Sequence, residues 1–186
     1  MMKARSLLAA LALPALAPAL AAQDLQALQQ EAASLIPPFQ QELLGTVKQA
    51  IATGGPAAAV EACQLLAPEI AARHSEQPWQ VGRTALKIRN PDNAPDAWER
   101  GVLEAFAARA AAGEPVAELR HGEIVDGRYR YMEAIATGEP CLACHGKAIK
   151  PELARVIDSR YPEDAARGFE PGQLRGAFSL SREVTP

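Results

Sequence analysis

The chain has little excess of either charge, few cysteines, and no long apolar run after its first two dozen residues. Nineteen basic and 22 acidic side chains leave a net charge of −3 over 186 residues. That excludes a strongly basic nucleic-acid binder and predicts ordinary solubility. No stretch beyond the N-terminus approaches the ~20 apolar residues that a bilayer span requires. There is no internal repeat and no low-complexity linker, which argues against a solenoid or a string of modules. Methionine is confined to Met1, Met2 and Met132, and histidine to His74, His121 and His145. Cysteine occurs three times, at Cys63, Cys141 and Cys144.

The opening MMKARSLLAALALPALAPALAAQD has what the rest lacks. Lys3 and Arg5 precede a Leu/Ala-rich run, and Ala19-Leu20-Ala21 offers the small residues a signal peptidase accepts. Pro14 and Pro18 interrupt the run, which weighs against an uncleaved anchor. Residues 1–22 are therefore expected to be a secretory signal peptide. Residues 23–186 then form one domain, exported to a bacterial periplasm, with 17 basic against 22 acidic side chains, a net −5. In that oxidising setting an odd cysteine count needs explaining.

Apolar spacing predicts helices over 24–35 and 39–53, separated by Pro37-Pro38 and closed by Gly54-Gly55. A third helix starts at Pro56. Val60, Cys63, Ala67 and Ile70 fall on its apolar face, and Pro68 is a candidate kink. QVGRTALKIR (80–89) alternates as a strand does, and NPDNAP turns the chain. A helix over Asp96–Ala112 follows, burying Trp98, Val102, Leu103 and Phe106. Two or three short strands come next, with Asp126-Gly127 as a hairpin turn. KPELARVIDSR reads as a short helix and QLRGAFSLSREV as a final strand. Helices first and antiparallel strands afterwards give an α+β class.

The chemistry concentrates in GEPCLACHGK, residues 138–147. Two thiols separated by two residues can reach the two vinyl groups on one edge of a porphyrin, and the next histidine then falls beneath the iron. CLACH supplies these groups in order, so covalent haem c is the favoured reading. A structural zinc site would need a fourth ligand, and Cys63, His74 and His121 carry no companion spacing. A thioredoxin-type pair would sit at a helix N-terminus after a strand, and no βαβ unit surrounds Cys141 and Cys144. For the second axial position the residues alone leave Cys63, His74, His121 and Met132 open. A buried, chemically idle thiol is the plainer account of Cys63.

Four segments together, AVEACQLLAPEIA, RTALKIRNPDNAPDAWE, PCLACHG and YPEDAARGFEPGQLRGAFSLS, resemble a family of periplasmic single-haem c-type domains with a PAS-like fold. The resemblance runs from about residue 31 to 184. It implies tethering through Cys141 and Cys144, with the iron held by His145 and by Cys63. It also implies an antiparallel sheet flanked by N-terminal helices, the haem lying between sheet and Cys63 helix. Ala85, where serine is expected, and Ala134, where proline is common, depart from the pattern and put local strand geometry in question. Propionates need cationic partners. Arg83, Lys87 and Arg89 alternate along the expected strand, so they share a face and are candidate cofactor-binding residues. Arg175 is a weaker one.

With both axial positions filled, the expectation is not an enzyme. The first functional reading is a sensor of redox state or a diatomic gas, with CO or NO entering on the reduced iron as the Cys63 bond weakens. A thiolate favours ferric iron and lowers the potential. With no output domain of its own, such a sensor needs a partner protein. The second reading is a soluble periplasmic electron-transfer cytochrome that keeps both ligands.

Overall fold

The computed structural model describes residues 17–76 and 78–184, with side chains from residue 24 onward. Of the predicted signal peptide, residues 1–16 lie outside the described residues. Helix α1, Ala17–His74, is broken once, at Gly55 (φ 73°), where a left-handed backbone suits glycine. The two arms fold back on each other. Glu42 of the first arm accepts from His74 Nε2 at 2.8 Å and from Arg73, and Phe39 packs 5.4 Å from the His74 ring.

The first arm corrects the sequence reading, because Pro37-Pro38 does not end a helix there. Ala32, Ile36, Phe39 and Leu43 form one buried face, while both prolines point to solvent. Carbonyls left without an N–H partner on the solvent side can be hydrated. Burying that apolar face, at roughly 1.5–3 kcal/mol per large side chain, then offsets most of the ~3 kcal/mol cost of a helical proline. Pro68 is likewise exposed, and the second arm continues past it to His74.

Four antiparallel strands form one sheet in the order β1-β4-β3-β2: β1 Trp79–Thr84, β2 Arg120–Val125, β3 Arg128–Ala136 and β4 Leu174–Glu183. The β2–β3 hairpin turns at Asp126 (φ 50°) and Gly127 (φ 76°), as expected of that dipeptide. Alternation sends Trp79, Val81, Tyr129, Tyr131, Phe178 and Leu180 to one face, against the first arm of α1 and Ile70. Met132, Ala134 and Ala177 face the other way, onto Val102, Leu103 and Phe106 of α2 (Ala97–Ala111). Asp96 caps α2 in a reciprocal capping box with Glu99. This is an α+β architecture, a sheet flanked by helices, consistent with the PAS-like class expected.

The strand predicted over 80–89 ends at Thr84. Its partner β4 carries Gly176 at that point, where an added Cβ would lie 2.5 Å from the Thr84 carbonyl oxygen. A register shift at Ile135/Ala136 bends the neighbouring ladder there. Residues 85–90 therefore leave the sheet. Arg83, Lys87 and Arg89 do not alternate along one strand: Arg83 stays in β1, and the other two lie in the connection that follows. The small Ala85, 6 % exposed, packs where Gly176 makes its close approach.

Candidate functional site

The cysteine motif follows β3. Glu139–Cys141 forms a 3-10 turn, and Leu142–His145 a single helical turn, α3. Gly146 closes it, because any Cβ there would stand 2.6 Å from the Leu142 carbonyl oxygen. The chain then enters α4, Pro151–Arg160. One small apolar cluster joins Val60 on the second arm of α1 to Leu153 and Ile157 of α4 and to Tyr161, and Cys144 packs against it. Cys63 lies one turn beyond Val60, so this packing carries the third thiol to the motif. Gln64 and Glu61 on the same arm bond Arg160.

The elements place the four ligand candidates differently. Cys63 lies within electrostatic reach of Cys144: burial raises the Cys144 thiol, Arg89 opposes that, and the Cys63 and Cys141 thiols raise it further. Cys63 is itself pushed up by burial, against the pull of Arg83 and Arg89. Met132 is fully buried on the opposite face of the sheet. His74 is engaged with Glu42, and His121 sits on the edge strand beside Glu123 and Trp98. Of the four, Cys63 is the one on the arm of α1 that packs with Cys144, and the one whose thiol acts on Cys144.

His145 is held by the backbone. Its Nδ1 lies 2.8 Å from the Ala166 carbonyl oxygen, which can only accept, so Nδ1 carries the proton. Nε2 is then the bare nitrogen, the form a metal-ligating imidazole takes. Burial, then Arg175 and Arg89, push this imidazole down to about 3, so it is neutral across the physiological range. Phe169 stands edge-on to the ring at 6.4 Å, and its N–H bonds the His145 carbonyl at 3.0 Å.

Arg89 ties this loop together. Its Nε and Nη2 reach Asp164 at 3.0 and 3.1 Å, and Nη2 also reaches the carbonyls of Cys144 (2.7 Å) and Ala166 (3.4 Å). Asp164 in turn accepts from the Ala166 N–H at 3.0 Å and from Arg167 at 2.6 Å. Arg89 thus braces the backbone of the motif. Lys87 is exposed, donates to the Arg167 carbonyl at 3.2 Å and stands 5.2 Å over Phe169. Sequence reasoning missed Asp164, Ala166, Phe169 and Tyr161 as individuals, although all four fall in the YPEDAARGF run it singled out.

An open groove of ≈590 Å³ between the arms of α1 includes none of the motif residues, so the site has to be read from its donors. Among the described residues no three His, Cys, Asp or Glu side chains converge closely enough to hold a bare metal ion. Thiols and an imidazole on neighbouring elements, with arginines close by, suit a larger anionic group instead. A buried hydroxyl without a hydrogen-bond partner, Thr137 Oγ1, lies four residues before Cys141. By donor set and by charge, the residues present fit a haem.

Comparison with known proteins bears on the family and the fold. The Tll0287-like family model matches residues 15–182. The crystal structure of the cyanobacterial heme-protein Tll0287 superposes with a TM-score of 0.61 at 27 % identity, covering 84 % of this chain and 94 % of that one. No curated protein sequence matches.

Proposed function

The chain belongs to the Tll0287-like family, and from that premise we propose that it is a haem protein of the exported c type. In this reading Cys141 and Cys144 tether one haem, His145 and Cys63 hold its iron, and the protein senses redox state or a diatomic gas. The observation that carries it is the His145 hydrogen bond to Ala166, which leaves Nε2 available; the α1 arm that bears Cys63 packs on the cluster that Cys144 joins, which supports Cys63 as the second ligand. A haem bound there supplies a one-electron iron couple and, when reduced, affinity for CO or NO.

The chain's residues divide the remaining work. Ala166 and Phe169 fix the orientation of His145. The arm bearing Cys63 begins at the Gly55 break and docks on α4 through Val60, Leu153, Ile157 and Arg160. A change in what Cys63 holds is therefore felt at the α1–α4 contact, a surface a partner protein can read. If His145 and Cys63 both hold the iron, no position would be left on it for substrate, and the role we propose is not an enzymatic one. A second reading, an electron carrier, draws on the exposure of Ala143, Lys147 and Ala148 around the motif.

The decisive measurement is the ferric absorption spectrum of wild type and Cys63→Ala. A low-spin thiolate signature should vanish in the variant, and its potential should rise with loss of the anionic donor. An unchanged spectrum and potential would place the ligand elsewhere. Haem should also stay with the denatured chain on a gel, and release of all haem into acidified organic solvent would refute covalent attachment. Ready reaction of the reduced protein with CO supports sensing, and inertness supports electron transfer.

A further inference from the structure

The border of the site carries more positive charge than the chain neutralises. Arg83, Lys87, Arg89 and Arg175 all belong to it, yet the carboxylate paired there, Asp164, is already shared by Arg89 and Arg167. Among the described residues the Arg83 side chain has no hydrogen-bond or ion-pair partner, although its backbone is part of the β1–β4 ladder. Its place in β1, in step with Trp79 and Val81 and paired with Phe178, directs it to the sheet face covered by α1, toward Cys63. Arg175 donates only to the Lys87 carbonyl, at 3.2 Å, and lies 5.2 Å over the Phe169 ring. That ring stands against His145, so Arg175 is one aromatic residue removed from the imidazole.

We propose that Arg83 and Arg175, and not Lys87 or Arg89, form the cradle for the two carboxylates of the porphyrin. The inference rests on the haem reading above and assigns the charge partners within it. Arg89 is spent on Asp164 and on two backbone carbonyls, and Lys87 is exposed and has a single ammonium instead of a fork. Arg83 and Arg175 keep guanidinium forks whose geometry matches a carboxylate bidentately. Their environment fits this role. Burial, then the neighbouring Arg89 and Arg83, push Arg175 down to about 10, and burial drives Arg83 downward as well. Two such cations crowded together are costly until anions enter between them. Bound carboxylates relieve that crowding, and the remaining positive field favours the reduced state, opposing the thiolate.

The test uses haem-loaded full-length protein and the variants Arg83→Gln, Arg175→Gln and their combination, with Lys87→Gln as control. Tethering depends on the cysteines, so covalent haem should persist in all of them. The propionate bending bands of the resonance Raman spectrum should shift in each arginine variant. The potential should fall in each and further in the double variant, while Lys87→Gln stays close to wild type in both. Arg83→Lys and Arg175→Lys, which keep the charge but lose the fork, should shift the bands with a smaller change in potential. If the glutamine variants do not fold, the lysine variants decide alone. Loaded variants with unmoved bands overturn the cradle and leave the haem reading standing. Wild-type protein that carries no covalent haem overturns the haem reading itself.

Discussion

Replacing Asp164 with alanine tests the brace behind the motif. The carboxylate is 1 % exposed and its partner Arg89 11 %, so the pair is screened little by water. Alanine would remove both Arg89 contacts, the Arg167 contact and the bond from the Ala166 N–H at one stroke. It would also leave the Arg89 guanidinium buried with only carbonyls for company. Breaking a buried pair from one side costs about 3–5 kcal/mol, a large share of the roughly 5–15 kcal/mol that holds a domain. Urea denaturation at neutral pH should show a loss of that size for Asp164→Ala. Asp158→Ala, which removes only an exposed partner of Arg167, should lose about 1 kcal/mol or less. Acid gives a second handle. Burial alone would raise the Asp164 carboxyl, but the bonds from Arg89 and Arg167 outweigh it and hold the group below its ordinary value. Its contribution is therefore complete above the unfolded value near pH ~4 and is lost as pH falls through the lower folded value. The gap between wild type and variant should close in that acidic window. A neutral-pH loss under about 1 kcal/mol, or a gap indifferent to acid, would refute the brace.

Gly146→Ala sets a Cβ 2.6 Å from the Leu142 carbonyl oxygen, a backbone atom that cannot swing aside, so it should cost about 1–3 kcal/mol in thermal or urea unfolding. An unchanged midpoint would mean that α3 is looser than it looks. Thr137→Val removes the buried hydroxyl that has no partner and should raise stability by roughly 1 kcal/mol. A loss instead would show that the hydroxyl is bonded in the working protein. Mass spectrometry of protein recovered from the periplasm should find a chain starting at Gln23, and an intact Met1 or Met2 on haem-loaded protein would contradict export by cleavage.

The parts of the fold that could be read in the sequence are those decided within a few residues. Asp126-Gly127 is a turn because of its own backbone preferences. Asp96 and Glu99 mark the start of α2 by bonding each other. Pro37-Pro38 misled because its helix is decided by what the opposite face buries, and Trp79, Tyr131 and Phe178 come from elements far along the chain. The end of β1 misled for the same kind of reason. It is set by Gly176 and by a bulge in β3, neither of which is visible from residues 80–89.

The site divides along the same line. CLACH is contiguous, so it could be singled out directly as the candidate site, and Cys63 could be put on the apolar side of its helix by spacing alone. The role of Arg89 could not, since it depends on Asp164, 75 residues away, reaching back under the motif. An arginine two residues from a lysine on an apparent strand looks like a ligand for anions. Once its carboxylate is supplied from within the chain, the same arginine becomes part of the scaffold. The anion-binding duty then falls to the cations that the chain leaves without a carboxylate, Arg83 among them. Composition counts charges and spacing ranks candidates, but only the fold decides which charges are already neutralised. That difference separates a residue that shapes the loop from one that meets the ligand.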